Sequence, residues 1–322
     1  MKRLFASVLA ALCAAVLVAC GDEDSPGAAT GRATTVKVGV VPVVDVAPLF
    51  LGIEKGFFRD EELTIRTQFA EGGAAIVPAV MSGDLEIGFS NTTSLVIASS
   101  KGLPLRIIAT GARAGTNAED APDGVLVRGD SEIRTAGDLE GRTVAVNTLN
   151  NVATLTLNRA LERAGVDYRK VKATEVPFPE MAAAVEAGRV DAAFVQEPFV
   201  TAMKAAGGRV VLNPMEQTER NYTFAAYFAS ERFIEEHPEV LERFVRALER
   251  SLDYAQQHPD EARRAVLDYT ETPADAAKAM NLTQWERELD TSSIELTARL
   301  AERYGYVERA PTIDTLVWDR RG

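Results

Sequence analysis

Apolar blocks alternate with mixed blocks along the chain, and this pattern predicts β-strands alternating with α-helices. The β-branched run "VKVGVVPV" at residues 36–43 includes a proline near its end and predicts a buried strand. A helix is expected next, ending near Gly56, and then the strands "LTIRTQFA", "DLEIGFSN" and "LRIIATGA" with helices between them. Strands separated by helices of about ten residues are typical of βαβ units and a mostly parallel sheet.

The same order of elements begins again near residue 124. Strands are predicted in "GVLVRG", "RTVAVNT", "VKATEVPF", "RVDAAFVQEP" and "RVVLN". In addition, "VEAGRVDAAF" at residues 185–194 repeats the pattern of "VMSGDLEIGF" at residues 80–89. The repetition predicts an α/β protein with two related lobes, each an open sheet flanked by helices. The alternative is that any junction between a helix and a strand favours these residue types.

The two copies of the phrase predict equivalent local structure. Gly83 and Gly188 are expected to end helices in the left-handed conformation. Phe89 and Phe194 are expected to be buried on the two sheets.

The chain from Ser230 onward is predicted to be helical. "PEVLERFVRALERSLDYAQQH" carries one apolar stripe at spacings of three and four residues. Pro238 and Pro259 are each expected at the first position of a helix. We expect these helices to cover the first lobe.

Composition excludes some classes of protein. The 322 residues suggest about two domains, and 46% hydrophobic with 25% charged residues is ordinary for a globular protein. The formal net charge of -12, with no basic stripe, argues against a nucleic-acid partner.

The N-terminus has the features of an export signal. Lys2 and Arg3 precede an apolar run at residues 4–19, which is short for a membrane span. The run ends in "LVAC", which resembles the bacterial lipobox, so residues 1–19 are predicted to be a signal peptide and Cys20 to carry a lipid. Residues 20–35 are then a flexible tether. The alternative is an ordinary secretory signal cut beyond Ala19.

The sequence carries no recognisable catalytic or metal-binding motif. Both histidines lie in "HP" helix starts, and the HExxH, CxxC, GxSxG, GxGxxG and P-loop patterns do not occur. Of the two cysteines, Cys13 leaves with the signal and Cys20 is the predicted lipidation site. We therefore predict no catalytic residue, no metal site, no cofactor and no enzymatic activity.

Short polar residues and glycines follow the predicted strands, at the edge where ligands bind in open α/β sheets. Such groups bind neutral, zwitterionic or anionic solutes through hydroxyls, amides and helix N-termini. The candidate ligand-binding residues are Asp45, Gly72, Gly73, Ser90, Asn91, Thr92, Asn147, Thr148, Asn150, Asn151, Gln196, Glu197 and Tyr222.

Each candidate also has a structural interpretation. The residues in "SNTTS" and "NTLNN" could cap helices instead of touching a ligand. Asp45 and Glu197 could form a salt bridge or a hinge hydrogen bond, and Tyr222 could be a core residue. If the two carboxylates do line a cleft, they favour a ligand that carries an amine or N–H donors.

Several phrases in order resemble the substrate-binding proteins of ABC importers, in the group for nitrate, sulfonates, taurine and thiamine precursors. They are "APLFLGIEKGFFRDEEL", "VMSGDLEIGF", "DLEGRTVAV", "VDAAFVQEP" and "HPEVLERFVRAL", and the resemblance extends over residues 36–319. It implies a type II periplasmic-binding-protein fold with two crossing hinge strands. Lobe 1 would comprise residues 36–123 and 224–322, and lobe 2 residues 124–223.

The resemblance also implies the function and the site. Family contacts fall on Asp45, Gly73, Ser90, Asn91, Asn147, Asn150 and Glu197. The expected partners are a small solute and the transmembrane subunits of an ABC permease, with the monomer held to the outer face of the cytoplasmic membrane by its lipid alone.

The chain departs from the family pattern in one place. Where the family runs with glycine and serine into a helix, this chain has the bulkier, amide-rich "NTLNNVAT" at residues 147–154. That departure puts sulfonate or nitrate in question and leaves room for a pyrimidine. The rival functions are a lipoprotein sensor or scaffold on the same fold, and a thiamine-precursor synthase, which would need a substrate histidine and a cysteine-rich segment.

Overall fold

The computed structural model describes residues 33–320, so the predicted signal peptide and lipidation site at Cys20 lie outside the described residues. The described chain forms two five-stranded sheets. The strands are β1 (Thr34–Val40), β2 (Leu63–Phe69), β3 (Ile87–Asn91), β4 (Leu105–Arg113), β5 (Asp123–Val127), β6 (Thr143–Val146), β7 (Lys172–Glu175), β8 (Ala192–Gln196), β9 (Arg209–Leu212) and β10 (Thr223–Ser230).

Helices flank both sheets. The α-helices are α1 (Ala47–Glu54), α2 (Phe57–Asp60), α3 (Gly73–Ser82), α4 (Thr92–Ser100), α5 (Val152–Arg163), α6 (Phe178–Glu186), α7 (Phe199–Ala205), α8 (Pro214–Thr218), α9 (Glu231–Glu236), α10 (Pro238–Gln257), α11 (Pro259–Ala265), α12 (Ala274–Ala279), α13 (Thr291–Arg303) and α14 (Ile313–Leu316). Short 3₁₀ turns occupy Val44–Val46, Ala136–Leu139, Tyr168–Lys170 and Val266–Asp268. In the part of the chain described, no helix is both long and apolar enough to cross a bilayer.

The two sheets have equivalent spatial arrangements of strands, although the fourth position is taken by the last strand of the first sheet and by the first strand of the second. Their strand orders are β2-β1-β3-β10-β4 and β7-β6-β8-β5-β9. In each sheet the first three strands are parallel and the fourth is antiparallel to both of its neighbours. The predicted fold class, two lobes that each contain a mixed sheet flanked by helices, is confirmed.

The repeated phrase makes the same contact in both sheets. Glu86 Oε2 accepts a hydrogen bond from the backbone N–H of Lys37 at 2.6 Å, and Asp191 Oδ2 accepts one from Thr143 N at 2.8 Å. In each case the acid after the helix accepts from a backbone N–H of the neighbouring parallel strand. The glycine in each copy has a positive φ, 85° at Gly83 and 66° at position 188. The repetition therefore reflects equivalent structure.

The phenylalanine that ends each copy of the repeat is buried as expected, since Phe89 and Phe194 are 3% and 1% exposed. Helices α10 and α11 begin at the predicted prolines, Pro238 and Pro259. The apolar stripe of α10 is buried, and α10 packs on α1 and α2, which flank the first sheet.

Two chain segments connect the sheets. The chain leaves the first sheet after β4, builds the second sheet, and returns through β10. These segments pair with each other, because Ala114 N donates to the carbonyl oxygen of Tyr222 at 2.9 Å. The pairing places a narrow two-segment joint between the sheets.

The tail does more than cover the first sheet. Helix α13 packs on α4, as expected, but the residues at its C-terminal end reach α5 of the second sheet. Tyr304 Oη donates to Glu162 Oε2 at 3.1 Å, and Asn158 Nδ2 donates to Tyr306 Oη at 3.2 Å. The periodicity of the tail shows which helix face is apolar but does not show which lobe that face meets.

Candidate functional site

A small cavity lies between the carboxyl ends of strands from both sheets. Its volume is about 30 Å³, room for about two water molecules. The residues that line it are Val41, Val43, Asp45, Gly72, Gly73, Phe89, Asn91, Asn147, Asn151, Val152, Ala153, Gln196, Phe224 and Ala225. Seven of the predicted ligand-binding residues are therefore brought together at one place.

Asp45 is the buried acid of this cavity. It lies in the 3₁₀ turn after β1 and is 2% exposed. Its Oδ2 accepts a hydrogen bond from Gln196 Nε2 at 3.2 Å, while Oδ1 has no partner among the described residues. Burial raises the pKa of Asp45 to about 8; the bond from Gln196 opposes this shift, and the nearby carboxyl of Asp123 adds to it.

The first-sheet wall contains two glycines at the start of α3. An added Cβ at Gly73 would lie 1.9 Å from Ser90 Oγ, so only glycine fits against that strand. Gly72 is the N-cap of α3. Because glycine has no side chain, the first backbone N–H groups of this helix have no side-chain acceptor from the N-cap residue. Asn91 caps α4 by accepting from Ser94 N at 2.9 Å.

The second-sheet wall is an amide cluster at the start of α5. Asn151 Oδ1 accepts from the backbone N–H of Ala153 at 3.0 Å and caps the helix. Asn151 Nδ2 donates to Asn147 Oδ1 and Thr148 Oγ1, both at 2.9 Å. The polar run at residues 147–151 therefore caps α5 through Asn151, while Asn147 and Asn151 line the cavity.

The two walls touch each other. Asn147 Nδ2 donates to the backbone carbonyl of Glu71 at 3.1 Å. An added Cβ at Gly72 would lie 3.0 Å from Thr148 Cγ2. These contacts explain why the cavity is so small: the first-sheet loop before α3 rests directly on the second-sheet loop before α5.

Six predicted residues lie outside the cavity lining. Ser90 lies beneath Gly73, and Thr148 contacts Gly72 and Asn151. Asn150 is exposed and has a left-handed φ of 51°. Ser90, in β3, and Thr148 and Asn150, in the loop before α5, therefore lie next to the cavity without lining it.

Thr92 and Tyr222 belong to a buried network with the tail. Tyr222 is fully buried and its hydroxyl lies 2.5 Å from Thr297 Oγ1. Thr92 Oγ1 donates to the carbonyl of Phe224 at 3.3 Å and lies 3.4 Å from the same threonine hydroxyl. Of the two interpretations of Tyr222, its position favours core packing over stacking on a ligand.

Glu197 is a structural acid at the joint. Its carboxylate accepts from Thr201 N, Thr201 Oγ1 and Asn281 N at 2.9, 2.8 and 3.2 Å. Its carbonyl accepts from Val44 N at 3.0 Å. Burial raises the pKa of Glu197, although these hydrogen bonds oppose the shift. These contacts match the alternative in which Glu197 makes hinge hydrogen bonds.

Positive charge is scarce around the cavity. Within the described residues that line it there is no lysine, arginine or histidine. Arg113, at the C-terminal end of β4, forms an ion pair with Glu286 and donates to the carbonyl of Glu288. Among residues 33–320, no group of three or more His, Cys, Asp or Glu side chains could hold a metal ion.

A family profile described as NMT1/THI5 like matches residues 43–262, more than half of the chain. The chain belongs to the NMT1/THI5-like family. A formylaminopyrimidine-binding protein of Halalkalibacterium halodurans is 26% identical over 222 residues, 68% of this chain and 65% of that protein. A taurine-binding periplasmic protein of Escherichia coli is 27% identical over 193 residues, 59% and 57% of the two chains. The chain thus spans less than two thirds of the length of either relative.

A solved structure shows the same fold. The alkanesulfonate-binding protein SsuA from Xanthomonas axonopodis pv. citri, bound to MOPS, superposes with a TM-score of 0.73 at 18% identity. The superposition covers 88% of this chain and 98% of that one. The family resemblance seen in the sequence is confirmed.

This NMT1/THI5-like chain also has an apolar side to its cavity that the sequence analysis missed. Phe89, Phe224 and Ala225 line it from the first sheet, and Val152 and Ala153 from the start of α5. Polarity at strand ends is a signal that marks hydrogen-bonding residues only, so it does not identify these apolar neighbours. Their positions along the chain could have identified them. Val152 directly follows Asn151, and Phe224 lies at the start of β10, where the chain returns to the first sheet.

Proposed function

We propose that the protein is an extracytoplasmic substrate-binding lipoprotein of an ABC importer that captures a small polar solute between two lobes. Lobe 1 comprises residues 36–123 and 224–322, and lobe 2 residues 124–223. The observation that supports this most strongly is the hydrogen bond from Gln196 to Asp45, at 3.2 Å. It joins the strand ends of the two sheets at a single cavity, which is where a cleft ligand would touch both lobes.

Capture would work by opening and closing of the lobes. The cavity of about 30 Å³ is too small for a solute, so the walls must separate to admit one. The paired segments at Ala114 and Tyr222 are the narrow connection about which they can move. A ligand that contacts both lobes favours the closed state by its differential contacts, and a permease can then recognise that state.

The proposed solute is a sulfonate such as taurine, a nitrate-like anion or a pyrimidine-type thiamine precursor. Amide side chains from both walls, at Asn91, Asn147 and Gln196, support a ligand with hydrogen-bonding edges. The proposal does not include catalysis.

Export and anchoring complete the proposal. Residues 1–19 act as the signal peptide, Cys20 carries the lipid and residues 20–35 tether the folded body to the outer face of the cytoplasmic membrane. There the monomer meets the permease. Labelling of cells with palmitate tests the anchor: Cys20→Ala is expected to lose the label, and a variant that still incorporates palmitate would contradict a lipid at Cys20.

The binding activity is tested by thermal melting of residues 33–322 across a library of sulfonates, amino-sulfonates, nitrate and pyrimidines. A ligand at 100 times its dissociation constant adds about 2.7 kcal/mol to the free energy of unfolding. We expect a shift with at least one of these compounds and its loss in Asn147→Ala. No shift with any member of the library would contradict the proposed function.

A further inference from the structure

We infer that Asp45 makes the cleft selective for solutes that present an ammonium group or an N–H donor, so that zwitterions and amino-heterocycles bind and simple anions do not. The inference rests on the proposed function and narrows its ligand class.

The first support is the free oxygen of Asp45. The side chain lines the cavity and is 98% removed from solvent, being 2% exposed. Only Oδ2 has a partner, Gln196 Nε2 at 3.2 Å, and Oδ1 has none in the described chain. When ionised, the Asp45 carboxylate can accept about four hydrogen bonds, and a buried acceptor without a donor is costly. A ligand donor at Oδ1 would remove that cost.

The second support is the charge of the ionisable groups around Asp45. The ionisable groups near Asp45 are Asp123, Glu197, Tyr227 and Tyr269. Tyr269 Oη donates to the carbonyl of Val43 at 3.0 Å, and Glu197 is held by Thr201 and Asn281. No cation lines the described cavity to balance an anionic ligand. A cationic or N–H-bearing ligand supplies what this set of groups lacks.

The third support is the remaining wall. The start of α3 lies beside the cavity at Gly72 and Gly73, where the helix has no side-chain cap. An anionic or electronegative end of the ligand can therefore lie at the helix N-terminus while its nitrogen meets Asp45. This arrangement suits a molecule that has an electronegative group at one end and an N–H donor at the other. A simple anion could use only the contacts at the start of α3.

The test uses two pairs of compounds of similar shape. In each pair, the second compound has a methyl group where the first has an amino or ammonium group. The pairs are taurine with 1-propanesulfonate, and 4-amino-2-methylpyrimidine with 2,4-dimethylpyrimidine. Affinities are measured by titration calorimetry on the wild type, on Asp45→Asn and on Asp123→Asn. Asp123 is the matched control, because it is a second buried acid near the joint but does not line the cavity.

We expect the amine of at least one pair to bind about tenfold or more tightly than its methyl isostere. Asp45→Asn should reduce that ratio to about threefold or less, whereas Asp123→Asn, which keeps the Asp45 carboxyl and removes only a neighbour that opposes its ionisation, should keep the ratio at about tenfold or more. Equal binding within both pairs, or a preference that survives in Asp45→Asn, would overturn the inference.

The pH dependence separates two ways in which Asp45 could act. If it accepts from an ammonium group, the affinity for taurine rises between pH 6 and pH 8 as the carboxyl group ionises. If a protonated Asp45 donates to an anion instead, the affinity falls over the same interval, and the inference is wrong. Failure of all four compounds to bind would also overturn it, whereas the proposed function depends on the separate melting test across the wider library.

Discussion

Asn147 donates a hydrogen bond from its side-chain amide to the backbone carbonyl of Glu71, 3.1 Å away and on the opposite wall of the cavity. The same side chain accepts from Asn151 Nδ2 at 2.9 Å. One residue therefore links the amide cluster at the start of α5 to the loop before α3. This link holds the two walls together without any ligand, so the closed arrangement has contacts of its own.

We predict that Asn147→Asp weakens closure, because it keeps the acceptor for Asn151 and removes the donor to Glu71. A hydrogen bond contributes about 0.5–1.5 kcal/mol net, so ligand affinity should fall by about two- to tenfold. Titration calorimetry measures the affinity, and small-angle scattering should show a larger radius of gyration. Asn150→Asp is the control, since it adds the same charge to an exposed, left-handed position of the same loop. An equal loss in the control would attribute the effect to charge.

Gly73 is predicted to tolerate no side chain. An added Cβ would lie 1.9 Å from Ser90 Oγ and 2.9 Å from Ser90 Cα, so moving the serine hydroxyl does not relieve the clash. Gly73→Ala should lower the free energy of unfolding by about 1–3 kcal/mol and displace the start of α3. Chemical denaturation measures the first effect and ligand titration the second. Gly137→Ala is the matched control, because the nearest atom there is 3.6 Å away, and a similar loss in it would contradict this explanation.

Two buried acids predict the pH dependence of stability. Burial raises the pKa of Asp45 to about 8 and of Asp123 to about 7, from an ordinary value of 3.8. Between pH 3.8 and the raised pKa, each carboxyl group keeps its proton in the folded state and has lost it in the unfolded chain. The free energy of unfolding therefore falls as pH rises from about 4 to 8. The acids whose pKa is lowered, such as Asp138 and Asp167, lose their contribution only at lower pH.

We therefore expect the free energy of unfolding of the wild type to be smaller at pH 8 than at pH 5. Asp45→Asn and Asp123→Asn should each flatten the slope, and the double variant should flatten it most. Urea denaturation at pH 5, 6, 7 and 8 measures these slopes. Identical slopes in the wild type and the double variant would show that neither carboxyl group is held neutral by the fold.

The sequence predicts the fold well because its cues are local and occur twice. Gly83, Gly188 and the acids Glu86 and Asp191 give each sheet the same helix–turn–strand junction. The carboxyl ends of the parallel strands place Asp45 at an edge of the first sheet and Gln196 at an edge of the second, and these two edges meet at the cavity.

The remaining features depend on partners that no local pattern reveals. Glu197 lies next to Gln196, yet its carboxylate turns to Thr201 and to Asn281 of the tail. The contact of Tyr304 with Glu162 likewise depends on where the end of α13 meets the second sheet. A residue at the right edge of a sheet can face either the cleft or the tail, and long-range packing decides between them.

Tyr222 allows this distinction to be tested directly. Its hydroxyl lies 2.5 Å from Thr297 Oγ1 in a fully buried position, outside the cavity lining. Tyr222→Phe should lower the free energy of unfolding by about 1 kcal/mol, since one buried hydrogen bond is lost while Thr297 keeps its bond to the carbonyl of Ser293. Ligand affinity should stay within about twofold of the wild type. Melting curves and titration calorimetry give the two values. Thr297→Val should leave the affinity equally unchanged but lower the free energy of unfolding further, because it leaves the buried Tyr222 hydroxyl without this partner. A large loss of affinity at unchanged stability would instead place the Tyr222 hydroxyl on the ligand.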